Sequence, residues 1–180
     1  MSYESVKSPA EGDVIEAPIR LYREKVDPLW IDRNQHVGVM GYAQAFLKSS
    51  SAAMRCVRLS TAECLPEGRS TYALKWAVTY LREVAAGATL EHTFQLLDYS
   101  DKLVHYALHM HNADENYVAA VSEFLEVHIL TETRRSAPMP PDRMALLDRI
   151  WQVHRSMPMP PETGTAIGIR RGGRRQARAG

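Results

Sequence analysis

The sequence predicts an α+β fold in which a curled antiparallel sheet wraps around one long helix, with a further helix near the C-terminal end. Three observations carry this. One strand-like segment leads into a long helical stretch. Four later segments alternate apolar and polar residues with period two. A run of small residues, Ser49 to Ala53, lies inside the helical stretch. Period-two alternation on consecutive strands joined by short turns means an antiparallel sheet with one buried face. Small residues along a helix let a sheet approach closely enough to wrap it rather than merely cover it.

The chain has 180 residues, 45% apolar and 24% charged, enough material for one sizeable core. Residues 1–17 are polar and punctuated by Pro9 and Gly12, and are expected to form a mobile lead-in. The main domain is expected over residues 18–131. Its first strand, Ile19 to Val26, stops at Asp27-Pro28, where proline lacks the N–H a ladder needs. Met40, Ala43, Leu47, Ser50, Met54 and Val57 recur at steps of three and four and mark one face of the helix. In Thr71 to Val84 the even positions Tyr72, Leu74, Trp76, Val78 and Tyr80 are assigned to the buried face, with Lys75, Thr79 and Glu83 opposite. Leu90, His92, Phe94 and Leu96 alternate in the next strand, then Val104, Tyr106, Leu108 and Met110. Tyr117, Ala119, Val121, Leu125, Val127 and Ile129 close the series. Gly87, Asp98 to Asp101 and Asn112 to Asn116 supply the breaks. Residues 132–161 read as a Pro-rich linker and a helix from Asp142 to Arg155, with Met144, Leu147, Ile150 and Trp151 on one face and Asp142 as its cap. Residues 162–180 are rich in Gly and Arg and are expected to be disordered.

Several function classes find no support. The net charge of +1 gives no general argument for nucleic acid, and Arg170 to Arg175 reads as a solvated tail, not an RNA contact. No apolar run is long enough to span a bilayer, and the N-terminus lacks a signal-peptide core. Cys56 and Cys64 are too few for a zinc site or a disulfide scaffold, so a cytoplasmic location is the default. His105, His109 and His111 share the face opposite Val104, Tyr106 and Leu108. Zinc needs about four converging ligands, so these histidines are assigned to a solvated or subunit-interface face, and His92 to the core. No Gly-rich phosphate loop, Gly-x-Ser-x-Gly elbow or His-Glu-x-x-His pattern occurs.

The chemistry concentrates in one run, Trp30-Ile31-Asp32-Arg33-Asn34-Gln35-His36-Val37-Gly38-Val39-Met40-Gly41-Tyr42. It places a carboxylate, a carboxamide and an imidazole at every second position and then enters the helix. A carboxylate acts as nucleophile or general base, an amide orients it, and an imidazole carries a proton. The first turn of the helix offers free N–H groups to a developing oxyanion. On spacing alone a second reading stands beside this one: Asp32 and Asn34 form a turn that caps the helix, with His36 solvated.

The same run resembles the signature of hotdog-fold acyl thioesterases, Asp-x-Asn-x-His-Val followed by a small residue and a Tyr-bearing helix. It is similar to the Asn-Gln-His-Val stretch of plant acyl-ACP thioesterases. With Trp30-Ile31-Asp32 in front it is closer to bacterial 4-hydroxybenzoyl-CoA-thioesterase-like proteins, including the betainyl-CoA thioesterase subgroup associated with carnitine catabolism. The resemblance spans roughly residues 18 to 131 and departs at Gly38, where relatives often carry Asn. It implies a homodimer or a dimer of dimers that hydrolyses an acyl-CoA to the free acid and CoA, with sites at the subunit interface. Asp32 would attack the carbonyl or activate water, with Asn34 and His36 holding it and the water or assisting thiolate departure. The N–H groups of Gly38, Val39 and Met40 would form the oxyanion hole, and Trp30, Tyr42 and Trp76 would contact the acyl group. No metal and no separate cofactor is implied, since CoA is part of the substrate. Two alternatives belong to the same fold. A hydratase would carry Asp-x-Asn-Pro-x-His, and Asn34-Gln35-His36 has neither that proline nor that spacing. A non-catalytic binder would share the pocket without a working base.

Overall fold

The computed structural model describes residues 2–165 and 167–169. Its elements follow in chain order as β1 (Ile19–Lys25), α1 (Val39–Cys56), the single turn α2 (Thr61–Cys64), β2 (Arg69–Tyr80), β3 (Thr89–Tyr99), β4 (Leu103–Asn112), β5 (Tyr117–Leu130), the short β6 (Arg135–Ser136) and α3 (Pro141–His154). Five strands form one antiparallel sheet in the order β1-β3-β4-β5-β2, and β6 adds to the end of β5. The predicted succession of one strand, one long helix and four further strands is therefore observed, with β1 and β2 as the two edges.

The face of α1 that meets the sheet agrees with the apolar spacing only in its second half, where Ser50, Met54 and Val57 are buried. Met40 and Leu47 are 71% and 52% exposed, while Tyr42, Ala45, Phe46, Ser49, Ala52, Ala53 and Cys56 are buried. The buried row is rich in Ala and Ser, which carry little hydropathy but leave room for strands to approach. Small size outweighs apolarity at a helix enclosed by a sheet. Phe46, Phe94, Leu96, Tyr106, Leu108, Met110 and Phe124 fill the space between, all at most 1% exposed.

The expected single face of β2 is also divided. The β2–β5 register slips between Ala73 and Lys75, so Tyr72 pairs with Val127 whereas Trp76 pairs with Phe124 and Val78 with Ser122. An extra residue in one strand turns all later side chains to the other face. Trp76, Val78 and Tyr80 thus share the helix side of the sheet with Phe124, and Tyr72 does not.

The far side of the sheet is covered by the chain itself. His105 Nε2 lies 2.7 Å from Glu123 Oε1, both side chains buried, and Gly164 N–H donates to the same oxygen at 2.8 Å. Gln95 Nε2 donates to Pro158 O at 3.1 Å. The histidine face expected to be solvated or intermolecular is therefore overlaid by residues 157–164. Disorder expected from residue 162 is not seen in its first part, where Thr163 and Ile167 are buried. Residues 170–180 of that expectation lie outside the described residues.

Helix α3 closes an exposed stretch of sheet edge. β1 ends at Ile19 opposite Phe94, but β3 continues to Tyr99. Beyond that point Leu96 N–H donates to His154 Nδ1 at 2.9 Å, and His154 Nε2–H donates to Glu16 O at 2.8 Å. The lead-in, expected to be mobile, is held here and by Arg149, which donates to Ala10 O at 2.9 Å. Asp142 does not cap α3. Pro140 occupies the cap, and Asp142 pairs with Arg58 and Arg143.

Two outcomes follow from the buried imidazoles. His154→Ala leaves the Leu96 N–H without its acceptor, and a loss of about 1–3 kcal/mol is expected in urea denaturation. Burial also holds His92, His109, His111, His128 and His154 below the ordinary histidine value, with His109 pushed down to about 4. Below about pH 6.5 the unfolded chain takes up protons that the folded chain refuses. Stability should then fall as pH drops from there toward 4, and be regained as pH rises. A urea midpoint unchanged between pH 7 and pH 5 would contradict this.

Candidate active site

The segment between β1 and α1 is held by its own backbone. Asp27 accepts from Leu29 N–H at 2.9 Å and starts the turn Pro28–Trp30. Asp32 N–H donates to His36 O at 2.9 Å, and Gln35, in the left-handed region at φ 67°, closes the turn between them. Val37 N–H donates to Val84 O at 2.8 Å, pinning the segment to the chain that leaves β2. Gly38 N–H donates to Trp30 O at 2.8 Å.

These bonds press Trp30 and Asp32 against the first turn of α1. A Cβ on Gly41 would lie 2.6 Å from Trp30 Cβ and 2.8 Å from Val37 Cγ1, so only glycine fits there. A Cβ on Gly38 would lie 3.1 Å from Asp32 Cβ. The carboxylate thus sits beside the start of the helix, where N–H dipoles point outward. The N–H groups of Val39 and Met40 find no acceptor among the described residues. Gly38 was expected to supply a third free donor, but Trp30 O takes it.

Asp32, Gly38, Val39 and Tyr42 line one groove of about 330 Å³, whose other wall is Tyr80 to Glu83. Tyr42 Oη donates to Arg82 O at 3.2 Å, and its ring meets that of Tyr80 edge-on at 5.0 Å. Burial raises the Tyr42 hydroxyl to about 12, so it remains a neutral donor. Tyr80 and Arg82 were not recognised in the sequence. Long-range contacts such as the Val37–Val84 bond and the His36–Ala85 bridge bring them here, and no local pattern announces these.

The other expected residues fall elsewhere. Asn34 serves through its backbone, donating N–H to Asp32 Oδ1 at 2.7 Å, while its side chain is exposed. His36 turns to Glu83, with Nε2 3.3 Å from Oε1. The expected Asx turn does form at Asp32, but it does not cap α1, whose cap is Gly38 with no side-chain hydrogen bond. Trp30 is buried beside α1 and donates Nε1–H to Gln44 Oε1 at 2.8 Å. Trp76 lies on β2, stacked on Phe124 at 5.5 Å, and donates to Ser122 Oγ at 2.6 Å. Neither indole lines the Asp32 groove of its own chain.

A buried polar group braces the same segment. Lys48 Nζ stands 4.6 Å over the Trp30 ring and 2.9 Å from Glu24 Oε2. Glu24 Oε1 is 3.3 Å from His92 Nε2, and His92 Nδ1 is 2.8 Å from Ser49 Oγ. Burial pushes the Glu24 carboxyl up, but the contacts with His92 and Lys48 outweigh it and hold the group below its usual range. Serine, histidine and acid stand here in triad order. Ser49 and His92 are fully buried, however, so the arrangement supports α1 and offers no nucleophile to substrate.

Comparison with known proteins places this geometry. Residues 26–147 match the thioesterase-like superfamily, and the chain belongs to that family. The curled sheet around α1 is the hotdog fold. A Staphylococcus aureus protein solved in complex with CoA superimposes with a TM-score of 0.76 at 22% identity, over 88% of this chain and 100% of that one. A DHNA-CoA thioesterase from Staphylococcus aureus superimposes with a TM-score of 0.67 at 13% identity, over 74% of this chain and 91% of that one. Among curated relatives, a Pseudomonas aeruginosa betainyl-CoA thioesterase is 29% identical over 82% of this chain and 93% of its own length. A Rhizobium meliloti L-carnitine dehydrogenase/betainyl-CoA thioesterase is 29% identical over 94% of this chain, which spans only 34% of that relative's length. No helix among the described residues is long and apolar enough to cross a membrane.

Gly41→Ala tests the fit of Trp30 on α1. Overpacking of this kind costs about 1–3 kcal/mol, read as a lower thermal midpoint, and the displaced turn should carry Asp32 away from the helix start. An unchanged midpoint would mean that the contact is not tight.

Proposed function

We propose that the chain is a thioester hydrolase that converts an acyl-CoA to the free acid and CoA. The observation that carries this is the Asp32 carboxylate seated against the first turn of α1, in the same groove as Val39 and beside the unclaimed N–H groups of Val39 and Met40. A thioester carbonyl placed there would have a carboxylate at its carbon and two N–H donors at its oxygen. Donors fixed where negative charge develops stabilise the tetrahedral intermediate without reorganising. In the nucleophilic route Asp32 attacks the carbonyl carbon, the C–S bond breaks, CoA leaves as thiolate, and water cleaves the resulting anhydride to restore Asp32. In the general-base route Asp32 takes a proton from water, which attacks instead. His36, 3.3 Å from the groove residue Glu83, would protonate the departing thiolate. The relatives' activity toward betainyl-CoA supports an acyl group ending in trimethylammonium, a cation with no hydrogen-bond donors that is recognised by aromatic faces and carboxylates.

The assembly we propose is a homodimer, alone or as a dimer of dimers, formed along β2. That strand is an unpaired edge carrying the exposed Tyr72, Leu74, Trp76 and Tyr80, and α1 adds the exposed Met40 and Leu47. A long apolar edge is an aggregation hazard unless another copy covers it.

Thiol release from a panel of acyl-CoAs tests the activity, with binding measured alongside. Asp32→Asn should reduce turnover about 10²–10⁴-fold at an unchanged thermal midpoint. Wild-type turnover by that variant would remove Asp32 from the chemistry, and binding without thiol release in the parent protein would favour a carrier. Light scattering at micromolar concentration should find a dimer or a multiple of it, and Leu47→Glu should shift the population toward monomer. A fully active monomer would refute the interface.

A further inference from the structure

The Asp32 groove lies at the Tyr80 end of β2, and a second, polar recess of about 250 Å³ lies at the other end, beside Thr71 and Ala73. Its floor is Glu126, which pairs with Ala73 across the ladder and is only 5% exposed. Tyr106 Oη donates to Glu126 Oε1 at 2.6 Å, and Ser50 Oγ donates to the same atom at 3.1 Å. Both donors are neutral hydroxyls, and Glu126 has no ion-pair partner among the described residues. Arg55 lines the recess from α1 without pairing with Glu126, and its Nε is buried without an acceptor. A carboxyl group withdrawn from water and met only by neutral donors is unfavourable unless a cation completes it. Trp76 stands one step along the same sheet face. One side of its ring is stacked on Phe124, which in turn stacks on Tyr106, and the residue is 39% exposed.

Within one chain this recess cannot serve the Asp32 groove. Between Val39 and Ser50 the helix rises about 17 Å, far more than a short acyl group spans. Antiparallel pairing of two β2 strands changes this. The Tyr80 end of one strand would then lie beside the Thr71 end of the other, and each Asp32 groove would be brought toward the recess of the second copy.

We infer that Glu126 of the partner subunit is the specificity-determining residue of a composite site, receiving a cationic acyl head group whose thioester carbonyl lies at Asp32. Trp76 of the partner subunit offers its outer ring face to the same cation. The inference rests on the hydrolase and dimer readings above and goes beyond them by assigning the residue that selects charge, and the subunit that supplies it.

The test compares kcat/KM for betainyl-CoA, for its neutral isostere 3,3-dimethylbutanoyl-CoA and for the anionic succinyl-CoA. The cation should be preferred over the isostere. Glu126→Gln keeps an acceptor for Tyr106 and Ser50, and should reduce that preference about 10–100-fold, the value of one charge-assisted contact. Asp32→Asn and Glu126→Gln proteins are then mixed and allowed to exchange subunits. A hybrid dimer rebuilds one intact site only if the two residues come from different chains, so cation-selective turnover should reappear on mixing. An unchanged preference in the Glu126→Gln dimer overturns the assignment, as does a preference for succinyl-CoA that Arg55→Gln abolishes. Loss of preference without recovery on mixing overturns the shared site. Failure to hydrolyse any of the three would instead bring down the hydrolase reading itself, a distinguishable result.

Discussion

The close seating of α1 in the curled sheet is the constraint from which the rest of the molecule follows. It requires small residues at Ser49, Ala52 and Ala53, where strands pass near the helix, and no side chain at Gly41, where Trp30 lies across the first turn. Once α1 is fixed at that depth, its N-terminal N–H groups open at one end of the sheet. The chain entering it from β1 must cross that opening. Asp32 reaches the helix start because this crossing is short and is tied at Gly38 to Trp30 and at Val37 to Val84.

The buried polar residues serve the same seating. Tyr22, Glu24, Lys48, Ser49 and His92 lie between β1, β3 and α1, linked by hydrogen bonds with few unmet partners. Such a network is costly if one member is lost, because the others remain buried with unpaired groups. It therefore fixes the register of the helix against the strands more sharply than apolar packing alone. The position of Trp30, and through it of the Asp32 turn, depends on that register.

Much of this was legible in the sequence, for physical reasons that differ by element. Strands β3 and β4 were readable because each is buried on the helix side by large residues at every second position; in β5 the apolar series Val121, Leu125 and Val127 falls on the far side with His105 and His109, and Phe124 faces α1 instead. The Asp32 motif was readable because a carboxylate at a helix start leaves a local trace in spacing. The bulge at Ala73 to Lys75 was not, since an extra residue in a strand changes no composition, only which face later residues occupy. The first half of the buried face of α1 was misplaced, at Met40 and Leu47, because Ala and Ser carry size information that hydropathy does not register. His36 was grouped with Asp32 by spacing along the motif, and Trp76 through what the resemblance implied. The first turns to Glu83, and the second lies along the edge strand β2.

Within one protomer, β2 combines features that make little sense together: exposed aromatic residues, a bulge that reverses its faces, and a buried carboxylate beside it with no counter-ion among the described residues. Pairing with a second β2, as proposed, would answer all three in one arrangement. The aromatic residues would be covered, and the bulge lets Trp76 and Tyr80 face the helix side while Tyr72 faces away. The carboxylate of one chain would lie opposite the acyl position of the other. A carboxyl group without a counter-ion in the protomer would then meet its cation in the substrate. On this reading the edge strand would set both how the chain assembles and which thioester its site accepts.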